Sequence, residues 1–214
     1  MNTKSLLIQA ENLEKLFSIY FFLALTGIIS GLWEYFLIQK ILSWEGDFSS
    51  NISVLTIFQT VISILRGLTS LFLAFYFIKW LFHSMRSLEK NKEVYYLNNS
   101  SSSAIWSWFI PVLNLFQPYQ IVRENFETWK NLAFGKKNIS SVIVSWWWFF
   151  FIFTIAADFF GIGILEGIQS SNLEKYSGNP WPFFIPGLIE VVAILLSRSM
   201  MKKFAIFYEA IVGE

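Results

Sequence analysis

Four ionisable side chains interrupt the long apolar stretches of this sequence. They are Glu34, Arg66, Asp158 and Glu190. A charged group at the depth of a lipid bilayer is costly, so such residues are candidates for a substrate, ion or proton site. Gln59, Ser63 and Arg66 follow one another at spacings of four and three, which places all three on one face of a helix. We call this predicted inward-facing set the polar seam; its members are Glu34, Gln59, Ser63, Arg66, Asp158 and Glu190.

The charges of the polar seam do not balance, because three carboxylates accompany a single guanidinium, that of Arg66. In one interpretation Arg66 holds the carboxylates in a buried structural network, which need not add stability. In the other, the seam lines a water-filled cavity in which carboxylates are protonated or a cation enters. Proton relays and substrate pathways are built in this way. The sequence leaves both interpretations open.

Covalent and metal catalysis find little support in the sequence. There is no cysteine and only one histidine, His83, which disfavours thiolate and histidine metal sites. The patterns of phosphate-binding loops, dinucleotide folds, zinc proteases and nucleophile elbows are absent from the sequence. A net charge of +1 lacks the basic field that nucleic acid requires. We therefore predict no enzyme activity, no catalytic residue, no metal, no cofactor and no nucleic-acid partner.

The elements that must position the polar seam are membrane helices. Apolar residues form 55% of the chain and charged residues only 14%, whereas soluble domains carry about 25% charge. Runs long enough to cross the bilayer occur at about residues 16–38, 54–81, 142–165 and 182–200. The first run is too long for a signal peptide and lacks a cleavage site. Residues 1–214 are predicted to form one all-α membrane domain, a bundle of four transmembrane helices.

The distribution of basic residues predicts the orientation of these spans. Lysine and arginine concentrate in the N-terminal tail, in the connection at residues 82–141 and near the C-terminus. The two remaining loops carry only Lys40 and Lys175. By the positive-inside rule, both termini and the long connection face the cytoplasm, which agrees with an even number of spans. The predicted location is the cytoplasmic membrane of the cell.

The long connection contains a short apolar segment at residues 108–119. This segment is too short to span, and its two prolines prevent an unstrained continuous helix. A hairpin is expected, either interfacial or re-entrant. After Pro118, Val122, Phe126 and Trp129 repeat at spacings of four and three, which predicts an amphipathic helix. That helix either lies on the membrane surface or packs beneath the bundle.

This segment carries a motif with the pattern Trp-Phe-Ile-Pro-x-x-Asn-Leu-x-x-Pro and a basic–acidic pair downstream. The motif residues are Trp108, Phe109, Ile110, Pro111, Asn114, Leu115, Pro118, Tyr119, Arg123 and Glu124. The motif resembles the signature of the DUF4328 family, bacterial multi-span membrane proteins of unknown function. The resemblance implies a multi-span fold in a bacterial membrane, and it implies no particular activity or ligand.

Two functions are compatible with these features. The first is a module that binds a small ligand, ion or lipid in the polar seam, or moves one across the membrane. The alternative is a structural or regulatory protein that docks a partner through the Trp-Phe-Ile-Pro-x-x-Asn-Leu-x-x-Pro segment. The expected partners are the lipid bilayer and a small ligand or cation. A protein partner or a second copy of the chain belongs to the alternative.

Overall fold

The computed structural model describes most of the chain. Its backbone ranges are 2–42, 49–94, 96–110, 115–135, 140–169 and 181–213. Within these ranges the side chains are described except at residues 34, 38, 41–42, 49–53, 55–56, 157–169 and 181–183.

Within the described ranges all regular structure is helical. The six helices are α1 (Thr3–Leu42), α2 (Ser49–Glu89), α3 (Ser103–Trp106), α4 (Gln117–Phe134), α5 (Val142–Gln169) and α6 (Trp181–Val212). Helices suit so apolar a chain because lipid cannot satisfy backbone polar groups. α4 has Pro118 in its first turn, where the missing N–H costs no helical hydrogen bond. It ends at Gly135, whose φ of 64° favours a residue without a Cβ.

Three helices of the described chain are long and apolar enough to cross a membrane. The qualifying segments are Thr3–Leu37, Ile57–Glu89 and Phe184–Val212. They contain most of the first, second and fourth predicted spans. Of the third predicted span, the part with described side chains is Val142–Ala156, which is apolar but shorter. The side chains of the rest of that span lie outside the described residues. The regular structure of the described residues is thus entirely helical, with the character of a membrane protein.

The helices continue past the ends that the charge pattern predicts. α2 extends to Glu89 and α6 to Val212, although their predicted spans end near residues 81 and 200. The 41 residues of α2 make a helix about 60 Å long, twice the ~30 Å hydrocarbon core. Lysine, arginine and glutamate are good helix formers. Charged residues therefore mark where lipid is expected to end, but they do not end the helix.

The chain divides into two compact units, and the first has an aromatic core. Unit 1 comprises Met1–Ser18, Leu71–Phe149 and Leu195–Glu214. In it, the Phe204 ring of α6 lies 4.7 Å from that of Trp80 and 5.4 Å from that of Phe126, between centroids. All three side chains are buried. Edge-to-face contacts add roughly 0.5–1.5 kcal/mol to the burial, so these rings hold α2, α4 and α6 together within unit 1.

Unit 2 comprises Ile19–Ser70 and Phe150–Ile194. In this unit α6 approaches α1 closely at Gly187, where an added Cβ would lie 2.6 Å from Cγ1 of Ile28. Small residues permit such close approach between membrane helices. Glu190 and Ile194 follow Gly187 at spacings of three and four, and both are buried. This face of α6 therefore turns toward the protein.

The apolar side chains of α2 in unit 2 are largely exposed. Examples are Ile57, Val61, Ile64 and Leu68, each with about half or more of its surface accessible. A soluble domain rarely exposes a contiguous apolar surface of this kind. Contact with lipid explains it, because hydrocarbon solvates these side chains.

Candidate functional site

Unit 2 contains an ion pair between two residues of the polar seam. Arg66 of α2 donates a hydrogen bond from Nη2 to Oε2 of Glu190 of α6. The second carboxylate oxygen, Oε1, accepts a hydrogen bond of 2.6 Å from the hydroxyl of Tyr20 of α1. The Glu190 side chain is only 9% exposed, and that of Arg66 is 30% exposed. Three helices thus meet at one carboxylate that has a donor on each oxygen.

Gly27 provides the space for the guanidinium of Arg66. A Cβ added at Gly27 would lie 2.7 Å from Nη1 of Arg66, closer than real side chains approach. The Gly27 carbonyl accepts a hydrogen bond of 2.9 Å from the Ser30 hydroxyl. Glycine at this position therefore allows the charged end of Arg66 to lie against α1.

The guanidinium of Arg66 retains an unused donor. Its Nε is buried and has no hydrogen-bond partner among the described residues. A buried unpaired donor costs about 1–3 kcal/mol. In native proteins such a group usually indicates a water, an ion or another missing acceptor. The side chain as a whole is 30% exposed, whereas Nε itself is buried.

The other predicted members of the polar seam have varied positions. Gln59 is partly buried, whereas Ser63 is exposed rather than turned inward. The side chains of Glu34 and Asp158 lie outside the described residues. The structure thus brings together Arg66 and Glu190 of the predicted set. Among the described side chains no group of three or more possible metal ligands is found.

Other hydroxyl groups on α2 bond to their own helix. Thr69 donates to the carbonyl of Leu65 at 2.7 Å, and Ser70 donates to that of Gly67 at 2.8 Å. This back-bonding satisfies a hydroxyl without a partner helix. Polar residues at helical spacing therefore need not face a common seam.

A second polar cluster, which the sequence did not indicate, is buried in unit 1. The Ser84 hydroxyl donates to Oδ1 of Asn125 at 2.9 Å and accepts from Nε1 of Trp129 at 2.8 Å. Because a hydroxyl has one proton, the Tyr208 hydroxyl, 2.9 Å away, must be a donor to Ser84. All four side chains are buried. With every hydrogen-bonding position occupied, Ser84 links α2, α4 and α6 and is unsuited to nucleophilic attack.

The apolar part of the family-like motif is mostly exposed in unit 1. Its exposed residues are Phe109, Ile110 and Leu115. The Trp108 ring lies 6.0 Å from the Phe77 ring between centroids, and Pro118 is buried at the start of α4. Pro111 and Asn114 lie outside the described residues, so whether the hairpin is interfacial or re-entrant stays a prediction.

The polar part of the motif has separate partners. Arg123 donates from Nε to Oε1 of Glu127 at 3.1 Å, and its Nη1 lies 3.4 Å from the Tyr119 hydroxyl. The hydrogen bond to Glu127 raises the pKa of Arg123. Glu124 accepts hydrogen bonds from the backbone N–H of Asn99 at 3.1 Å and from its side-chain amide at 2.8 Å. Arg123 thus stabilises α4, while Glu124 fixes the loop that follows α2.

A family model described as a domain of unknown function, DUF4328, matches residues 49–203. The match covers more than half of the chain and confirms the resemblance noted from the motif. It includes both Arg66 and Glu190, whereas Tyr20 and Gly27 precede it. No curated protein and no solved structure matches the chain.

Proposed function

We propose that this chain, which belongs to the DUF4328 family, spans the cytoplasmic membrane four times and binds a small ligand or ion beside the Arg66–Glu190 pair. Binding, or movement of the bound molecule across the membrane, requires no catalytic group. The observation that carries the proposal is the partly exposed Arg66 guanidinium, whose buried Nε has no partner among the described residues.

Charge and helix length support the four-span topology. Three helices have the required length and apolarity in their described parts, and α5 has 28 residues in all, enough for about 40 Å at 1.5 Å per residue. An even number of spans puts both basic termini on one side, which the positive-inside rule assigns to the cytoplasm.

The donors of Arg66 favour a ligand that carries acceptor oxygens. Glu190 engages Nη2 and also accepts a hydrogen bond from the Tyr20 hydroxyl, while Nε of Arg66 has no partner among the described residues. A guanidinium presents its donors as a rigid planar fork that matches a carboxylate or phosphate oxygen pair. We therefore propose a small anionic or carbonyl-rich molecule, with water as its replacement when the site is unoccupied.

Replacement of Arg66 by lysine tests this proposal while keeping the positive charge. Full-length protein is purified in mild detergent, and bound small molecules are extracted and identified by mass spectrometry. The wild type is expected to co-purify with a molecule that carries acceptor oxygens. The amount of this molecule should fall at least about tenfold in Arg66→Lys, since one charge-assisted hydrogen bond contributes roughly 1.5–3 kcal/mol.

The matched control is Arg123→Lys, since Arg123 forms a surface pair with Glu127 that is half exposed. It should retain the co-purified molecule at the wild-type level. Equal amounts in Arg66→Lys and the wild type would contradict the proposal, as would the absence of any co-purified small molecule.

A second candidate function, the docking of a protein partner, is favoured by the exposed apolar surface of the motif segment. Phe109 and Phe116 each have about two thirds of their surface accessible, and Trp106 is similarly exposed. Such a patch fits either a partner protein or the interfacial layer of the membrane.

Photo-crosslinking in living cells separates these two occupants. A photoreactive phenylalanine analogue in place of Phe109 is expected to give a discrete protein adduct if the segment docks a partner. The same analogue at Tyr96, which is exposed outside this patch, serves as the control. Lipid adducts alone would exclude docking and assign the segment to the membrane interface.

A further inference from the structure

Unit 1 contains a pocket of about 410 Å³ between α1 and α2, separate from the polar seam. Its volume lies within the range of about 300–1,000 Å³ that small-molecule sites occupy. Two lysines line it, Lys15 of α1 and Lys79 of α2, together with the neutral polar side chains of Asn12 and Tyr76. The pocket is therefore rich in groups that donate hydrogen bonds and contains no acidic lining residue among those described.

The charges of both lysines are available to a ligand. Neither Lys15 nor Lys79 forms an ion pair with any carboxylate that the structure describes. Glu14, the neighbour of Lys15 in sequence, is instead bound by Arg198 at 3.0 Å and by Lys202 at 3.5 Å. Glu14 is thus paired with other cations, and neither ammonium group of the pocket is paired with a described carboxylate.

The two lysines of the pocket lie at sequence positions that are predicted to be at the depth of the lipid headgroups. Lys15 directly precedes the first predicted span and Lys79 lies near the end of the second, so both fall at the predicted cytoplasmic boundary. Tyrosine and lysine are favoured at this level because their polar ends reach the headgroups while their stems stay in apolar surroundings. Leu13 and Leu16 supply an apolar wall beside the polar groups.

We infer that this pocket binds a phosphate group, which Lys15 and Lys79 hold from two helices with Asn12 and Tyr76 as neutral donors. Two ammonium groups on separate helices match the charge of a phosphomonoester better than that of a neutral or zwitterionic group. The ligand is either the headgroup of an anionic lipid or a soluble phosphate, and the chemistry of recognition is the same for both. The apolar wall favours the lipid, because a glycerol backbone and the first acyl carbons would lie against it.

The test is native mass spectrometry of the full-length protein in detergent, titrated with phosphatidic acid. Diacylglycerol with the same acyl chains is the reference lipid, since it differs only by the phosphate. Wild type is expected to prefer phosphatidic acid. Each lysine near a membrane surface contributes about fivefold to affinity for an anionic lipid. The double variant Lys15→Gln/Lys79→Gln should therefore lower the affinity for phosphatidic acid by about twenty-fivefold.

The matched control is Lys90→Gln/Lys92→Gln, which removes two exposed lysines on the same predicted side of the membrane but outside the pocket. It should keep the wild-type preference. Inorganic phosphate that displaces phosphatidic acid would identify soluble phosphate as a sufficient ligand, whereas retention of the lipid would identify the headgroup. Equal binding of the two lipids, or equal loss in both double variants, would overturn the inference.

This inference does not depend on the Arg66 site. The Arg66→Lys variant should bind phosphatidic acid as the wild type does. Conversely, Lys15→Gln/Lys79→Gln should leave any molecule at Arg66 in place, so failure at one site is distinguishable from failure at the other.

Discussion

Replacement of Arg66 by glutamine is expected to lower the free energy of unfolding by about 3 kcal/mol, the lower end of the range for breaking a buried ion pair. The variant leaves Glu190, 9% exposed, with the Tyr20 hydroxyl as its one remaining donor among the described residues. A carboxylate that is removed from water and loses its cation carries most of this cost. The lower end applies because the Arg66 side chain is 30% exposed. Denaturation in mixed detergent micelles with increasing dodecyl sulfate, followed by circular dichroism, measures the loss.

The companion variant Arg123→Gln removes the same charge from a surface pair and should cost at most about 1 kcal/mol. A double-mutant cycle then isolates the coupling, with Glu190→Gln as the second substitution. The double variant Arg66→Gln/Glu190→Gln should be more stable than the sum of the single losses predicts. Additive losses would show that the two side chains do not stabilise unit 2 through each other.

The stability of the pair and the proposed binding are separable. Glu190 uses one donor of Arg66, at Nη2, and Nε stays unpaired among the described residues. A purely structural role predicts that Arg66→Lys loses stability without any change in co-purified molecules. A binding role predicts loss of the bound molecule even where Arg66→Lys stays folded. The two measurements together therefore decide which interpretation of the polar seam applies.

Hydropathy identified the ion pair in part. Arg66 and Glu190 were recognisable because a charge within an apolar run is rare and needs a partner. Tyr20 was not, because tyrosine is compatible with lipid, interface and core alike. Ser63 had the spacing of a seam residue but is exposed. Spacing alone determines which side chains share a helix face, and it does not determine which face meets another helix.

The buried cluster around Ser84 shows a different limit of sequence reasoning. Its members come from α2, α4 and α6, and only Asn125 and Trp129 are at helical spacing. Hydroxyl and amide groups at such positions look like ordinary surface residues until tertiary packing joins them. Glu124 is similar, because its partner Asn99 lies in a loop 25 residues earlier. Patterns within one segment carry no information on contacts of this range.

The ends of the helices could not be predicted from the apolar runs in the sequence either. Charged residues mark the predicted limits of the apolar runs, but the helices α2 and α6 continue through them. The continued parts belong to unit 1, where Leu88 and Tyr208 are buried. Burial within unit 1 therefore stabilises the parts of α2 and α6 that extend beyond the length needed to cross a bilayer.

The aromatic core of unit 1 should respond strongly to the loss of Phe204. We expect Phe204→Ala to lower the free energy of unfolding by about 4 kcal/mol, within the range for a phenylalanine removed from a packed core. Phe204 is fully buried and contacts Trp80, Phe126 and Tyr208 through their rings. Its removal leaves a cavity at the point where α2, α4 and α6 meet within unit 1.

The control for Phe204 is Ile206→Ala on the same helix, since Ile206 is 52% exposed and such a change should stay within about 0.5 kcal/mol. Limited proteolysis measures the local stability of α4, because Phe126 of α4 packs against the Phe204 ring. Faster cleavage within Gln117–Phe134 is expected in Phe204→Ala and not in Ile206→Ala. Equal stability of the two variants would mean that the rings of unit 1 do not hold α4 in place. The segment proposed to contact the interface or a partner would then need another anchor, and the hydrogen bond from Nε1 of Trp148 to the Leu115 carbonyl, 3.2 Å long, is the contact to test next.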